Sequence, residues 1–353
     1  MIYQSITDLI GRTPILSLSN LLPAGSANLF VKLDGYNPGG SVKDRPALSM
    51  IVAAEAAGKL LPGGTIVEST SGNLGVALAM IAATRGYRCM IVVDPRTSPH
   101  NVAMIEALGA EVVMVTESNP ADGTFQEARI RHARKLADTV PGAFMPWQYG
   151  NPDNPRAHEA TTAAEILADF PDDGPDVLVA AVSTGGQISG TASGLKKRGA
   201  RTKAIGVDVR GSVVFGGEKG PTAVTGMGLG WIPDNLNESV IDEAYLVETQ
   251  QCFSTVRLLA KTQGLLLGGS SGAALFVAIG EAIRQGEGKS VVAIAADRGE
   301  KYLEEIYRDE WMAAKNLVTD QTAEDLISAA CALTPFRFPA AEFCGRHVMD
   351  VTG

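Results

Sequence analysis

Residues 65–93 read TIVESTSGNLGVALAMIAATRGYRCMIVV, a strand, a helix and a second strand in succession. Thr65 to Val67 is a short run that starts a strand, Leu74 to Arg85 is Ala-rich and helical, and Gly86 is suited to closing that helix. Met90 to Val93 is again short and apolar, as a buried strand would be. A strand, a crossover helix and a second strand form the unit from which parallel sheets are built.

The same alternation extends in both directions. Upstream, Pro46 to Ala57 predicts a helix closed by Gly58. Downstream come a helix near Asn101 to Leu108 stopped by Gly109, a strand at Glu111 to Val115 and a helix near Phe125 to Ala137. Met145 to Pro155 (MPWQYGNPDNP) is loop-rich and reads as a hinge between domains. The pattern then restarts with a helix near Arg156 to Leu167, a strand at Val177 to Val182, a helix at Ile188 to Arg198 and a strand at Ala204 to Val207. A Gly-rich connection, Arg210 to Pro233, precedes a helix near Phe253 to Lys261 and a strand at Val291 to Ala295. The fold class is therefore α/β, with parallel sheets flanked by helices on both faces. Thr322 to Leu333 reads as a further helix capped by Thr322, before the Pro-rich TPFRFP.

The chain's 353 residues are enough for two domains of about 150 residues each. Apolar content is 45% and charged content 20%, values of a globular protein. A net charge of −9 and the absence of any dense Lys/Arg run argue against nucleic acid as a partner. Cys89, Cys252, Cys331 and Cys344 form no CxxC pair, which fits reduced thiols in a cytoplasm. The histidines form no HxxxH or HExxH, so no metal site is expected. Met1 to Pro14 has no signal-peptide pattern, and the charge-free Gly264 to Gly280 is too short and too interrupted for a membrane span. Its two parts read as strand-like and helix-like soluble core.

Three loops carry the chemistry. In Asn37-Pro38-Gly39-Gly40-Ser41-Val42-Lys43-Asp44-Arg45-Pro46, the prolines and glycines make a rigid turn before a helix, so Lys43 is an aimed amine or, on this stretch alone, a surface charge. Glu68 to Gly75 ends a strand and opens a helix, where free N–H groups with Thr70, Ser71 and Asn73 suit a carboxylate; an ordinary Ser/Asn cap fits equally. Ser183-Thr184-Gly185-Gly186-Gln187 again joins a buried strand to a helix, as a phosphate nest or a tight structural turn. It is neither a P-loop nor a GxGxxG fingerprint. A lysine, a carboxylate cradle and a phosphate cradle together suggest pyridoxal phosphate.

NPGGSVKDR, STSGN, STGGQ, TGMGLGWIP (Thr225 to Pro233), GGSSGAA (Gly268 to Ala274) and DRGEKYL (Asp297 to Leu303) occur in an order that resembles the cysteine synthase and cystathionine β-synthase family. These are pyridoxal 5'-phosphate enzymes of fold type II, and the resemblance spans about Ile6 to Trp311. It implies a smaller mobile domain at 35–150, a larger cofactor-phosphate domain from 1–34 plus 151–312, and an extension at 313–353. Gly39, Leu74 and the GSVVFG run (Gly211 to Gly216) look most similar to a siderophore-pathway branch that makes a precursor of 2,3-diaminopropionate.

The resemblance also implies the roles. Lys43 would hold the cofactor as an imine and shuttle the α-proton, and Asn73 would meet the ring hydroxyl. Ser183, Thr184, Gly185, Gly186 and Gln187 would hold the phosphate, although Ser183 and Gln187 depart from the family's usual Gly and Thr. Ser270 would face the pyridine nitrogen, where a hydroxyl leaves the ring a weaker electron sink and favours β-elimination. Thr70, Ser71, Asn73 and Gln148 would grip the substrate carboxylate. For an O-phosphoserine donor, Arg129 with Tyr149 and Ser183 would steady the leaving phosphate. Read alone, Arg129 sits among Arg131, His132, Arg134 and Lys135 as on a solvated helix face, and Tyr149 as hinge packing. The implied reaction is β-replacement through an aminoacrylate, with glutamate as nucleophile. Cysteine synthase with sulfide, a dehydratase and a non-catalytic cofactor-binding regulatory partner are the alternatives. The resemblance further implies small amino-acid substrates, a homodimer, and no membrane or nucleic-acid partner.

Overall fold

A computed structural model of the chain describes residues 2–118 and 125–337. Two compact units emerge: one from the residues up to Gly11 plus Asn37–Asn154, the other from Arg12–Tyr36 plus the chain from Pro155 onward. In chain order, β1 (Ile15–Ser17) and β2 (Asn28–Leu33) belong to the second unit. The first unit then runs α1 (Asp44–Ala56), β3 (Thr65–Ser69), α2 (Asn73–Arg85), β4 (Arg88–Val93), α3 (Pro99–Ala107), β5 (Glu111–Met114), α4 (Gln126–Thr139) and β6 (Ala143–Phe144). After it come α5 (Asp153–Ala160), α6 (Thr162–Asp169), β7 (Val177–Ala181), α7 (Gly186–Lys197), β8 (Lys203–Val209) and β9 (Glu243–Val247). The chain continues through α8 (Thr249–Gln263), α9 (Gly269–Gln285), β10 (Ser290–Ala295), α10 (Asp309–Ala314), α11 (Ala323–Ala332) and β11 (Phe336–Arg337).

Among the described residues the first unit has a four-stranded sheet, β5-β4-β3-β6, with every neighbouring pair parallel. All five residues of β3 are buried, polar Thr65, Glu68 and Ser69 included, as in a parallel strand covered on both faces. Gly86 closes α2 in the left-handed conformation, φ +74°, where L side chains are disfavoured. The sequence division at residue 34 needs one correction. Residues up to Gly11 join the first unit because the 3₁₀ turn Ile6–Leu9 packs on α2 and the Gly11 N–H donates to Asn37 Oδ1 at 2.8 Å.

The second unit carries a seven-stranded sheet among the described residues, β1-β2-β10-β7-β8-β9-β11, parallel except for its two edge pairs. The charge-free sequence after Gly268 becomes α9, whose first fourteen residues are buried in the core. Gly264 to Leu267 is not a regular strand: Leu267 makes only an isolated bridge to Arg298. The helix expected at Arg156 to Leu167 is two helices, α5 and α6, parted at Thr161. Fully buried Lys32 is neutralised by Glu165 at 2.8 Å and held by the Thr13 carbonyl at 2.7 Å, which ties the segment ahead of β1 to the sheet.

Thr322 caps α11 reciprocally with Asp325, as its spacing predicts. Residues 313–337 are less separate than an extension: Leu326 and Ala330 are buried against the second-unit core. The end of the TPFRFP run lies outside the described residues. Among those residues, no helix is long and apolar enough to cross a membrane.

Candidate active site

Lys43 stands immediately before α1, half-buried, with its N–H donating to Ser41 Oγ at 3.2 Å. Asn37 before the glycines and Ser41 and Val42 after them are buried, so the loop is anchored on both sides of its glycines. The anchoring comes from Asp44, whose buried carboxylate accepts the Gly39 N–H at 2.6 Å. Gly39 has no room for a side chain, since a Cβ there would lie 2.4 Å from Asp44 Oδ1. Pro46 is the third residue of α1, inside the first turn, where its missing N–H costs nothing.

At the end of β3 the chain turns through Thr70, Ser71 and Gly72 into α2, with Asn73 as its first residue. Gly72, the N-cap of α2, offers no side-chain cap to the first turn of the helix. The turn is held from outside: the Thr70 N–H donates to Val92 at 3.2 Å, and Asn101 Nδ2 donates to the Ser71 carbonyl at 3.1 Å. Glu68, fully buried, accepts the Ser69 N–H at 2.9 Å on one oxygen and the Gln148 N–H at 3.3 Å on the other. Burial pushes its carboxyl up to about 7, against the pull of backbone N–H groups from Ser69, Gln148 and Trp147. Gln148 is itself buried, and its carbonyl accepts from Asn154 at 2.7 Å.

Arg129 is not on a solvated face. It is 7% exposed, its Nε lies 3.1 Å from Asp94 Oδ2, and its Nη1 is buried with no hydrogen-bond partner among the described residues. Tyr149, also buried, stacks edge-on against Trp147 at 5.4 Å and receives a 3.4 Å hydrogen bond from Gln126. Burial raises its phenol and the charge of Arg129 opposes the rise, which makes the two electrostatic neighbours.

In the second unit, Ser183 to Gln187 link β7 to α7. Gly185 is the N-cap at φ +79°, and no side chain caps the helix. A Cβ on Gly185 would lie 2.7 Å from the Leu236 backbone nitrogen. Thr184 and Gln187 are buried, and Gln187 Nε2 has no partner among the described residues. Ser270, 8% exposed, is the second residue of α9, beside another N-terminus with no side-chain cap. Uncapped helix starts, an orphaned amide donor and a glycine pressed against backbone fit a phosphate and a polar ring, as pyridoxal phosphate would present.

Glu68, Asp94, Asn101 and Asp44 were not singled out from the sequence, although each orients a residue that was. Their only sequence signal is an acid or amide at the end of a strand or the start of a helix. Among the described residues, no cluster of three or more His, Cys, Asp or Glu side chains could hold a metal ion.

Comparison with known proteins agrees with this geometry. Residues 6–297 match the family model for pyridoxal-phosphate dependent enzymes. The chain is 40% identical over 301 residues to a cysteine synthase of Staphylococcus aureus, covering 85% of this chain and 95% of that one. It is similar in structure to an O-acetylserine dependent cystathionine beta-synthase from Helicobacter pylori: 37% identity, TM-score 0.79, 87% of this chain and 100% of that one. A cysteine synthase from Entamoeba histolytica superposes with TM-score 0.84 at 33% identity, covering 94% and 96% of the two chains.

Proposed function

The chain belongs to the pyridoxal-phosphate dependent enzymes, in their cysteine synthase family of β-replacement catalysts, and we propose that its donor is O-phospho-L-serine and its nucleophile L-glutamate. The products would be N-(2-amino-2-carboxyethyl)-L-glutamate and inorganic phosphate, a route to 2,3-diaminopropionate for siderophore synthesis. The observation that carries this reading is Arg129, a buried guanidinium with an unpartnered Nη1 in the same unit as the carboxylate cradle.

Pyridoxal phosphate supplies the electron sink that makes the substrate's α-proton acidic and its β-substituent labile. In this reading Lys43 would hold the cofactor, and its amine would carry the α-proton. The start of α7, with Ser183, Thr184, Gly185, Gly186 and Gln187, would take the cofactor phosphate, and Ser270 and Asn73 would meet the polar atoms of its ring. Thr70, Ser71, Asn73 and Gln148 fix the substrate carboxylate. Arg129, oriented by Asp94, meets the leaving phosphate with Tyr149 and Ser183, supplying charge where a departing anion needs it. The reading includes a cytoplasmic homodimer.

Cysteine synthesis from an activated serine and sulfide is the second reading, favoured by the names that the compared relatives carry. Arg129 separates the two. Phosphate release from O-phosphoserine should depend on added glutamate, and Arg129→Ala should lower kcat/KM for O-phosphoserine about 100-fold with the visible cofactor band intact. Turnover of O-acetylserine should change little. An unchanged O-phosphoserine profile in the variant would reject the assignment.

A further inference from the structure

We propose that Glu68 is a positioning residue that clamps the two halves of the substrate-carboxylate cradle together, and that it does so only when ionised. The inference deepens the functional reading above and rests on its assignment of Thr70, Ser71, Asn73 and Gln148. Its basis is geometric. Glu68 is the penultimate residue of β3, next to Ser69 and the turn that opens α2, while Gln148 lies 80 residues further on, in the loop after β6. One carboxylate oxygen takes the Ser69 N–H and the other the Gln148 N–H, with the Trp147 N–H adding to the grip. Trp147 is held at φ +56°, a left-handed conformation that a bulky residue adopts only where its surroundings impose it. Its surroundings include the Glu68 carboxylate on its N–H and the Gly150 and Asn151 N–H groups on its carbonyl.

A carboxylate is all acceptor, and every partner here is a donor. Protonation, or replacement by an amide, turns one arm of the clamp into a donor facing a donor, so that the contact repels instead of holding. The other titratable groups near the site do not supply a charge in its place. Cys89 on β4, under the Coulombic influence of Glu68, is pushed up to about 12 by burial, and the buried Tyr149 is raised as well. Both stay neutral near pH 7. Arg129 is the cation that acts on Tyr149, and Asp94 pairs with it. With its carboxyl raised to about 7, Glu68 is mostly protonated at pH 6 and mostly ionised at pH 8.

The test titrates holoenzyme with L-alanine, which has the carboxylate but no leaving group, and follows the visible cofactor band at pH 6 and pH 8. Deprotonation of the ligand's amine affects wild type and Glu68→Gln alike, so their ratio isolates Glu68. The dissociation constant of the variant should be within about twofold of wild type at pH 6 and roughly tenfold or more weaker at pH 8, the loss expected for a mispaired buried acceptor. A ratio that does not change with pH would overturn the proposal. Amide exchange on unliganded wild-type holoenzyme provides a measurement independent of any variant. After correction for intrinsic rates, the Ser69 and Gln148 amides should be better protected at pH 8 than at pH 6, and equal protection would contradict the clamp. Failure of the functional reading looks different: wild type would give no spectral response to L-alanine at either pH, with the exchange result unaffected.

Discussion

Gly39 shows how far one residue constrains the lysine loop. Its N–H is bound by Asp44 at 2.6 Å, and an added Cβ would sit 2.4 Å from one carboxylate oxygen and 2.9 Å from the other. Gly39→Ala should therefore displace the buried carboxylate from the loop it anchors and cost about 1–3 kcal/mol. Urea unfolding of the holoenzyme measures this directly, and wild-type stability in the variant would mean that Asp44 relaxes freely. Lys43 itself was legible because Pro and Gly flank it with known backbone preferences. Arg129 was harder to read, since its neighbours Arg131, His132, Arg134 and Lys135 suggest a wet face. Only the helical period, which puts Arg129 on the buried side with Ala128 and Ala133, turns it inward. The role of Glu68 could not be read, because its distant partner Gln148 lies in a loop that only the folded sheet brings alongside.

The informative elements are the helices whose N-cap is a glycine, α2, α7 and α9. At α7 the N-cap is Gly185, left-handed and pressed against the Leu236 backbone. Gly185→Ala combines a disfavoured φ with a contact to backbone that cannot swing aside. It should weaken cofactor affinity at least about tenfold, measured by fluorescence titration of apoenzyme with pyridoxal phosphate; unchanged affinity would remove this turn from the phosphate site. Sequence placed this helix two residues late, at Ile188, because Gly186 and Gln187 look like loop. It missed β2 and β9, where a buried Lys32 and an acidic edge interrupt the apolar pattern a parallel strand usually shows. It also merged α5 with α6, since the composition across Thr161 is uniformly helical.

For the whole molecule, the parallel α/β architecture followed from the alternation of short β-branched runs with Ala-rich ones, which local sequence displays. The discontinuity of the second unit did not, and only the family resemblance implied it. Arg12–Tyr36 joins it because β2 pairs with β10, far along the chain, and no local pattern announces a partner that distant. Substrate choice is a property of this scale as well, since it depends on donor and nucleophile together. Purified holoenzyme supplied at once with O-phospho-L-serine, O-acetyl-L-serine, L-glutamate and sulfide, its products identified by mass, measures that choice directly. The account predicts N-(2-amino-2-carboxyethyl)-L-glutamate with stoichiometric phosphate as the main products; cysteine as the main product would contradict it.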